Sequence, residues 1–266
     1  MIEYRVVTEM DELEMLCALE HRIWQAAERE MSPIVVRVTA LRGGLALAAY
    51  DGAEMVGMLW SFPVKRGDKF VLWSFVTGVL PQYRSAGVGA GLKFTQRRWA
   101  LENGYDTVCW TFDPMRAANA NFNLRVLGAY ADTYVPNVYG EIRDALNPGL
   151  PTDRLEVTWD LHAPRVMALA EGKPLPVASL REHLALVACE DGQLNAVSHI
   201  SKWPQGCAVE IPADYDTTAR SQPELLRAWQ AQIRFTMTEA FLHGYRVVDL
   251  VRQQNGRTWY VLELPD

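Results

Sequence analysis

One segment constrains this chain more than any other. Phe70–Leu80 is a long run rich in Val, Phe and Trp, the composition of a buried strand. Pro81 ends it, and the loop Gln82–Gly89 carries Arg and Gly. Ala90–Asn103 then reads as a helix, with Gly104 as its stop. Thr107–Phe112 is another strand, broken by Asp113-Pro114. At the loop, glycines remove side chains where a bulky group must approach the backbone. The helix start offers unpaired N–H groups and the positive end of its dipole. Arg84 adds a cation at the rim, so the junction is a pocket for a phosphorylated ligand.

The rest of the chain reads as a mixed α+β protein. Ile2–Val7 is a strand, and Thr8 with Asp11 forms a capping-box start for a helix bearing Leu13, Leu16, Cys17, Leu19, Ile23 and Trp24. That helix fades around Glu30 and is broken by Ser32-Pro33. Leu45–Tyr50 and Glu54–Phe62 form a hairpin about Asp51-Gly52, and Lys65–Lys69 is a charged loop. Met115–Leu127 is a shorter Asn-rich helix ended by Gly128, Tyr130–Gly140 is irregular, and Asn147-Pro148-Gly149-Leu150-Pro151 is a turn cluster. Leu155–Leu161 is a strand and Ala163–Pro176 a connection. Beyond it lie a hairpin of Leu184–Cys189 and Leu194–Ile200, a strand Cys207–Ile211, a long helix Pro223–His243, and a hairpin of Val247–Val251 and Thr258–Leu264. Helix–Gly–Tyr–strand occurs twice, at Arg97–Trp110 and Thr238–Val251. It reads either as common punctuation or as a degenerate second copy of the first architecture.

Composition narrows the class. A chain of 266 residues, 49% hydrophobic, with a net charge of −6, can bury a sizeable core and has no global attraction for nucleic acid or an anionic membrane. No long apolar run or signal-like N-terminus is readable, so a cytoplasmic protein is expected. Cys17, Cys109, Cys189 and Cys207 lack metal or disulfide spacing, and no metal is expected.

Three nucleotide-loop patterns compete for the glycine-rich junction. The Walker pattern fails because no Gly-Lys-Ser/Thr follows. Gly87, Gly89 and Gly91 are spaced G-x-G-x-G, which also fails the dinucleotide pattern. Arg84-x-x-Gly87-x-Gly89, after a strand and before a helix, satisfies the third. In this context the chain resembles the GNAT N-acyltransferase superfamily over roughly residues 1–160, which gives domains of 1–161 (GNAT-like) and 162–266 (C-terminal α+β).

The resemblance implies a CoA thioester, acetyl-CoA or another acyl-CoA, as co-substrate. Gly87, Val88 and Gly89 would give amides to the pyrophosphate, with Arg84, Ser85, Ala86 and Ala90 beside it. Gly78, Val79 and Leu80 would pair with the pantetheine arm as an added strand does. The strand Thr107–Phe112 would splay away and place the thioester beside Thr111, Phe112 and Asp113. An amine would attack it directly, which needs positioning, a proton acceptor and an oxyanion donor. Many members carry a Tyr where this chain has Leu124, and a Glu on the long strand where it has Ser74 and Thr77. The acid is therefore sought among Tyr130, Tyr134 and Tyr139, with Tyr134 and Tyr139 as the candidates carried forward. The base is Asp113 or a bound water.

Other residues have two readings. Asn119 and Asn123, four apart, either face the cofactor or cap a short helix. Asp153 and Arg154 are expected to pair and brace a loop, the alternative being that Arg154 binds a carboxylate on acceptor or acyl group. Leu225, Leu226, Trp229, Ile233, Met237 and Phe241 form an apolar stripe that could cover a second sheet or make a homodimer. The expected activity is N-acyl transfer, acetyl by default, to a small-molecule amine, with an amino acid among the candidates. The alternatives are amino-acid N-succinyl transfer, peptide acylation, and acyl-CoA binding without turnover.

Overall fold

A computed structural model of the protein describes residues 1–24, 31–140, 149–176, 178–197, 200 and 202–265. The expected end of the first helix near Glu30, and Asn147 and Pro148 of the turn cluster, lie outside them. The described chain forms two compact units. The first comprises Met1–Trp110 with Asp160–Ala163, and the second the remaining residues from Thr111 onward.

In the first unit five strands follow in the order β1 (Ile2–Val6), β2 (Leu45–Asp51), β3 (Glu54–Arg66), β4 (Lys69–Val79) and β5 (Thr107–Phe112). All pairs are antiparallel except β4–β5, which is parallel. Helix α1 (Met10–Trp24) buries Leu13, Leu16, Cys17 and Leu19. The Thr8–Asp11 capping box does not form. Thr8 donates to Glu9, the Asp11 carboxylate accepts from the Glu12 amide, and the helix starts at Met10. Met31 and Ser32 lie outside any helix, and Pro33 starts a new one. Ser32 is the cap and Pro33 the first turn of α2 (Pro33–Ala40), a position where a missing N–H costs nothing. Lys65–Lys69 is a tight hairpin turn rather than a loop, with Gly67 at φ 61° between β3 and β4. Helix α3 (Val88–Glu102) packs on β1 to β4. The core joins Leu13, Leu16, Val36, Leu47, Met58, Leu59 and Leu92, all buried.

The second unit begins with α4 (Ala117–Asn121), which continues into a π-helical turn, Phe122–Val126, instead of one α-helix to Leu127. The Leu127 amide accordingly bonds the Phe122 carbonyl, five residues back. Tyr130–Gly140 is not irregular throughout: Tyr130–Val135 is a strand, β6. It pairs antiparallel with β7 (Arg154–Asp160). The connection Ala163–Pro176 contains a helix, α5 (Pro164–Ala170). Then come β8 (Leu184–Glu190), β9 (Gln193–Ala196), β10 (Gly206–Ile211), a short unanticipated α6 (Tyr215–Ser221), α7 (Pro223–Leu242), β11 (Arg246–Arg252) and β12 (Thr258–Glu263). The strand order is β7-β6-β11-β12-β10-β8-β9. Helix α7 buries Leu226, Trp229, Ile233 and Met237 against β6, β8, β9 and β10, so its apolar stripe covers a sheet of its own unit.

The repeated helix–Gly–Tyr–strand segment is a shared helix stop. Gly104 and Gly244 have φ 81° and 85°, and the amides of Tyr105 and Tyr245 both bond back to the residue five before, Ala100 and Ala240. Strand pairing is not shared. β4 and β5 pair directly, whereas β12 stands between β10 and β11. Both units are thus mixed, largely antiparallel α+β structures.

Candidate functional site

β4 and β5 hold each other for two rungs only, Leu72↔Val108 and Trp73↔Cys109, while β4 keeps β3 as a neighbour to Val79. The register with β3 shifts between Ser61↔Ser74 and Trp60↔Val76, which leaves Phe75 as a bulge. Parting of the parallel strands begins at Ser74 and Trp110, and the buried Lys93 of α3 stands between them. Its Nζ lies 3.1 Å from Ser74 Oγ and 3.7 Å from the Trp110 ring centre. Burial holds its pKa well below the ordinary lysine value, with Cys109 opposing. Lys93 is a buried cation that sequence reasoning passed over. The available signal was a charge inside the buried face of α3, between Leu92 and Gln96.

The loop after β4 is built by backbone geometry. Pro81–Tyr83 forms a 3₁₀ turn, and Arg84 Nε donates to the Val79 carbonyl at 3.3 Å. Ser85 and Gly87 are both left-handed, at φ 64° and 81°. Gly87 caps α3 and its carbonyl takes the Gly91 amide at 2.9 Å. By helix geometry the Val88, Gly89 and Ala90 amides have no acceptor within α3, and Arg84, Ser85, Ala86 and Gly87 are exposed beside them. This end of the helix can hold an anion.

Glycines elsewhere allow close packing. A Cβ on Gly57, opposite Val79, would stand 3.2 Å from Val88 and Leu92, and one on Gly78 would stand 2.4 Å from the Trp24 ring. Gly91 belongs to the fold rather than to the loop: its Cβ would lie 1.9 Å from Tyr4 Oη. Gly91→Ala should therefore lower stability by about 1–3 kcal/mol, read as a fall in melting temperature. Adding Tyr4→Leu should recover part of it. Undiminished stability in the single variant would mean that α3 does not pack on β1 as described.

The remaining candidates lie in the second unit. Asp113 Oδ1 accepts from the Met115 amide at 2.8 Å, and its Oδ2 lies 4.0 Å from Arg116 Nε. Burial raises its pKa, opposed by the Met115 amide, Arg154 and Arg116. Tyr139, half exposed, shares a 2.8 Å hydrogen bond with Thr111 at the end of β5. Tyr134 donates to Asp153 Oδ2 at 2.7 Å, and burial and that carboxylate push its pKa up. Tyr130 lies under Arg246, 4.4 Å from ring centre to Cζ. Asn119 is exposed and Asn123 buried, so the two do not share one environment.

The expected Asp153–Arg154 brace does not form. Asp153 takes Arg234 through two 2.8 Å hydrogen bonds, while Arg154 donates to the Asp153 backbone carbonyl and lies 5.4 Å from the Tyr139 ring centre. Among the described residues no helix is long and apolar enough to cross a membrane.

No family model matches the chain, and no curated protein does. Among solved structures it is similar to a GNAT family acetyltransferase from Elizabethkingia anophelis with acetyl-CoA bound, at 15% identity over 60% of this chain and 97% of that one, with a TM-score of 0.44. It is similar to an IAA acetyltransferase from Bacillus cereus at 12% identity, 60% and 99% coverage and a TM-score of 0.45. It is also similar to the NatC complex bound to Gag peptide and CoA at 12% identity, 60% and 98% coverage and a TM-score of 0.48.

Proposed function

We propose that this chain is an acyl-CoA-dependent N-acyltransferase of GNAT type, its residues 1–161 forming the acyltransferase domain, acting on a small-molecule amine with acetyl as the default acyl group. The observation that carries the reading is the left-handed Gly87 cap of α3, following β4 within Arg84-x-x-Gly87-x-Gly89, with its first-turn amides directed at an exposed loop. In this reading the diphosphate of CoA binds the amides of Gly87, Val88 and Gly89. The pantetheine arm runs along the part of β4 that β5 has left. The acceptor nitrogen attacks the thioester carbonyl, an N–C bond forms and the C–S bond breaks. The proton lost by the nitrogen passes to Asp113 or water, and the departing thiolate takes one from solvent or from Tyr139. Tyr139 suits that role better than Tyr134, whose hydroxyl is committed to Asp153.

The test is isothermal titration with CoA, acetyl-CoA and succinyl-CoA, followed by thiol release with a panel of amines. Micromolar binding with amine-dependent release is expected. Binding without release would make the protein an acyl-CoA sensor, and no binding would remove the loop assignment. If Asp113 is the base, the rate rises with pH as its carboxyl ionises, at a pH above the ordinary aspartate range because burial raises its pKa. Asp113→Asn should abolish that limb with CoA affinity unchanged. A limb that survives would give the role to water.

A further inference from the structure

We infer that Arg154 is the anchor for a carboxylate on one of the two reactants. The inference rests on the acyl-transfer reading and names a substrate class within it.

The argument begins with what Arg154 does not do. Asp153, its neighbour in sequence and the expected partner, is fully engaged by Arg234, Tyr134 and the Asn137 amide. Among the described residues no carboxylate lies within ion-pair distance of Arg154. Asp113 feels its charge, more strongly than that of Arg116, without forming an ion pair with it; Arg116 stands 4.0 Å from Asp113 and is tied to Asp216 at 2.8 Å. Among the described residues one Arg154 donor is used, on the Asp153 carbonyl at 2.8 Å. That bond fixes the guanidinium without neutralising it and leaves the other N–H groups of the fork, the geometry that receives a carboxylate on two parallel hydrogen bonds.

The surroundings suit a polar anion rather than a packed side chain. Arg154 is partly buried, which strengthens an ion pair relative to one in open solvent. Beside it are the Tyr139 ring and the Thr111–Tyr139 hydroxyl pair, two further hydrogen-bonding groups, and Tyr139 leaves the place half open. Thr111 follows Trp110 on β5, the residue at which β5 parts from β4. A carboxylate held here could belong to an amino-acid acceptor or to the distal end of a succinyl donor. The recognition chemistry is the same.

The experiment separates the two sources. Thiol release is measured with acetyl-CoA and each of the twenty common L-amino acids, each paired with its carboxamide. The carboxamides are then run with succinyl-CoA against acetyl-CoA. An acceptor carboxylate predicts that at least one acid exceeds its amide by about 100-fold in kcat/KM. A donor carboxylate predicts a comparable preference for succinyl-CoA. In either case Arg154→Gln should erase the preference by raising KM, Arg154→Lys should restore part of it, and the dissociation constant for CoA should not move. Equal use of acids and amides with no donor preference, or a preference that survives Arg154→Gln, overturns the inference while leaving acyl transfer standing. CoA binding without thiol release from any pair also overturns it. Failure to bind CoA removes the underlying reading instead.

Discussion

Gly89→Glu should leave the protein folded and weaken CoA binding by about 100-fold or more. The residue is second in α3, directly after the Gly87 cap and Val88. An acidic side chain in the first turn of a helix is compatible with the helix dipole, so the substitution has no reason to unfold α3. The ligand is another matter. A glutamate about 4 Å from a diphosphate oxygen meets a repulsion on the order of 4 kcal/mol per charge pair at an effective dielectric constant near 20. Discounting for salt and side-chain movement, about 3 kcal/mol remains, which is a little over 100-fold in affinity. Gly89→Gln separates bulk from charge and should lose markedly less. Titration with CoA decides the matter, with far-ultraviolet circular dichroism as the check on folding. Unchanged affinity in the Glu variant would move the phosphate site away from this loop, and the functional proposal would go with it.

This loop was legible in the sequence because everything that makes it is local. Pro81 must end a strand, and glycine is the residue that most readily takes the left-handed cap at position 87. What the sequence concealed depends on partners far along the chain or on a residue with two uses. Pro33 is read as a breaker unless Ser32 is recognised as its helix cap, since Ser-Pro serves both purposes. β6 escapes detection because its register against β7 shifts between Ala131 and Thr133, which spoils the alternation expected of a strand. Lys93 escapes because a lysine on a helix is ordinarily solvated, whereas this one fills the place where β4 and β5 separate.

Asp153 and Arg154 show the same limit most clearly, and the largest expected effect on stability follows from it. Adjacent charges of opposite sign suggest a pair, yet successive residues entering a strand direct their side chains to opposite faces. The true partner of Asp153 is Arg234, 81 residues away on α7. The carboxylate is also the acceptor for the buried Tyr134 hydroxyl at 2.7 Å and the Asn137 amide at 3.0 Å. Asp153→Ala strips all three donors of their acceptor at once. Arg234 is 38% exposed and can turn to water, whereas Tyr134 is 9% exposed and has little access to it. The expected cost is about 3 kcal/mol, the lower end for breaking a buried pair. It should appear as a fall of about 6–12 °C in melting temperature. Replacing Arg234 by Met should cost about as much, because it leaves the Asp153 carboxylate buried without its cation. The double variant should be more stable than the sum of the two losses implies, because it leaves neither charge without its partner. Strict additivity would mean that the bond between Asp153 and Arg234 contributes nothing. Arg154→Gln should behave in the opposite way, changing substrate preference with melting little altered. Two neighbours in sequence would then divide the labour between them, one joining α7 to the start of β7 and the other left free to meet a reactant.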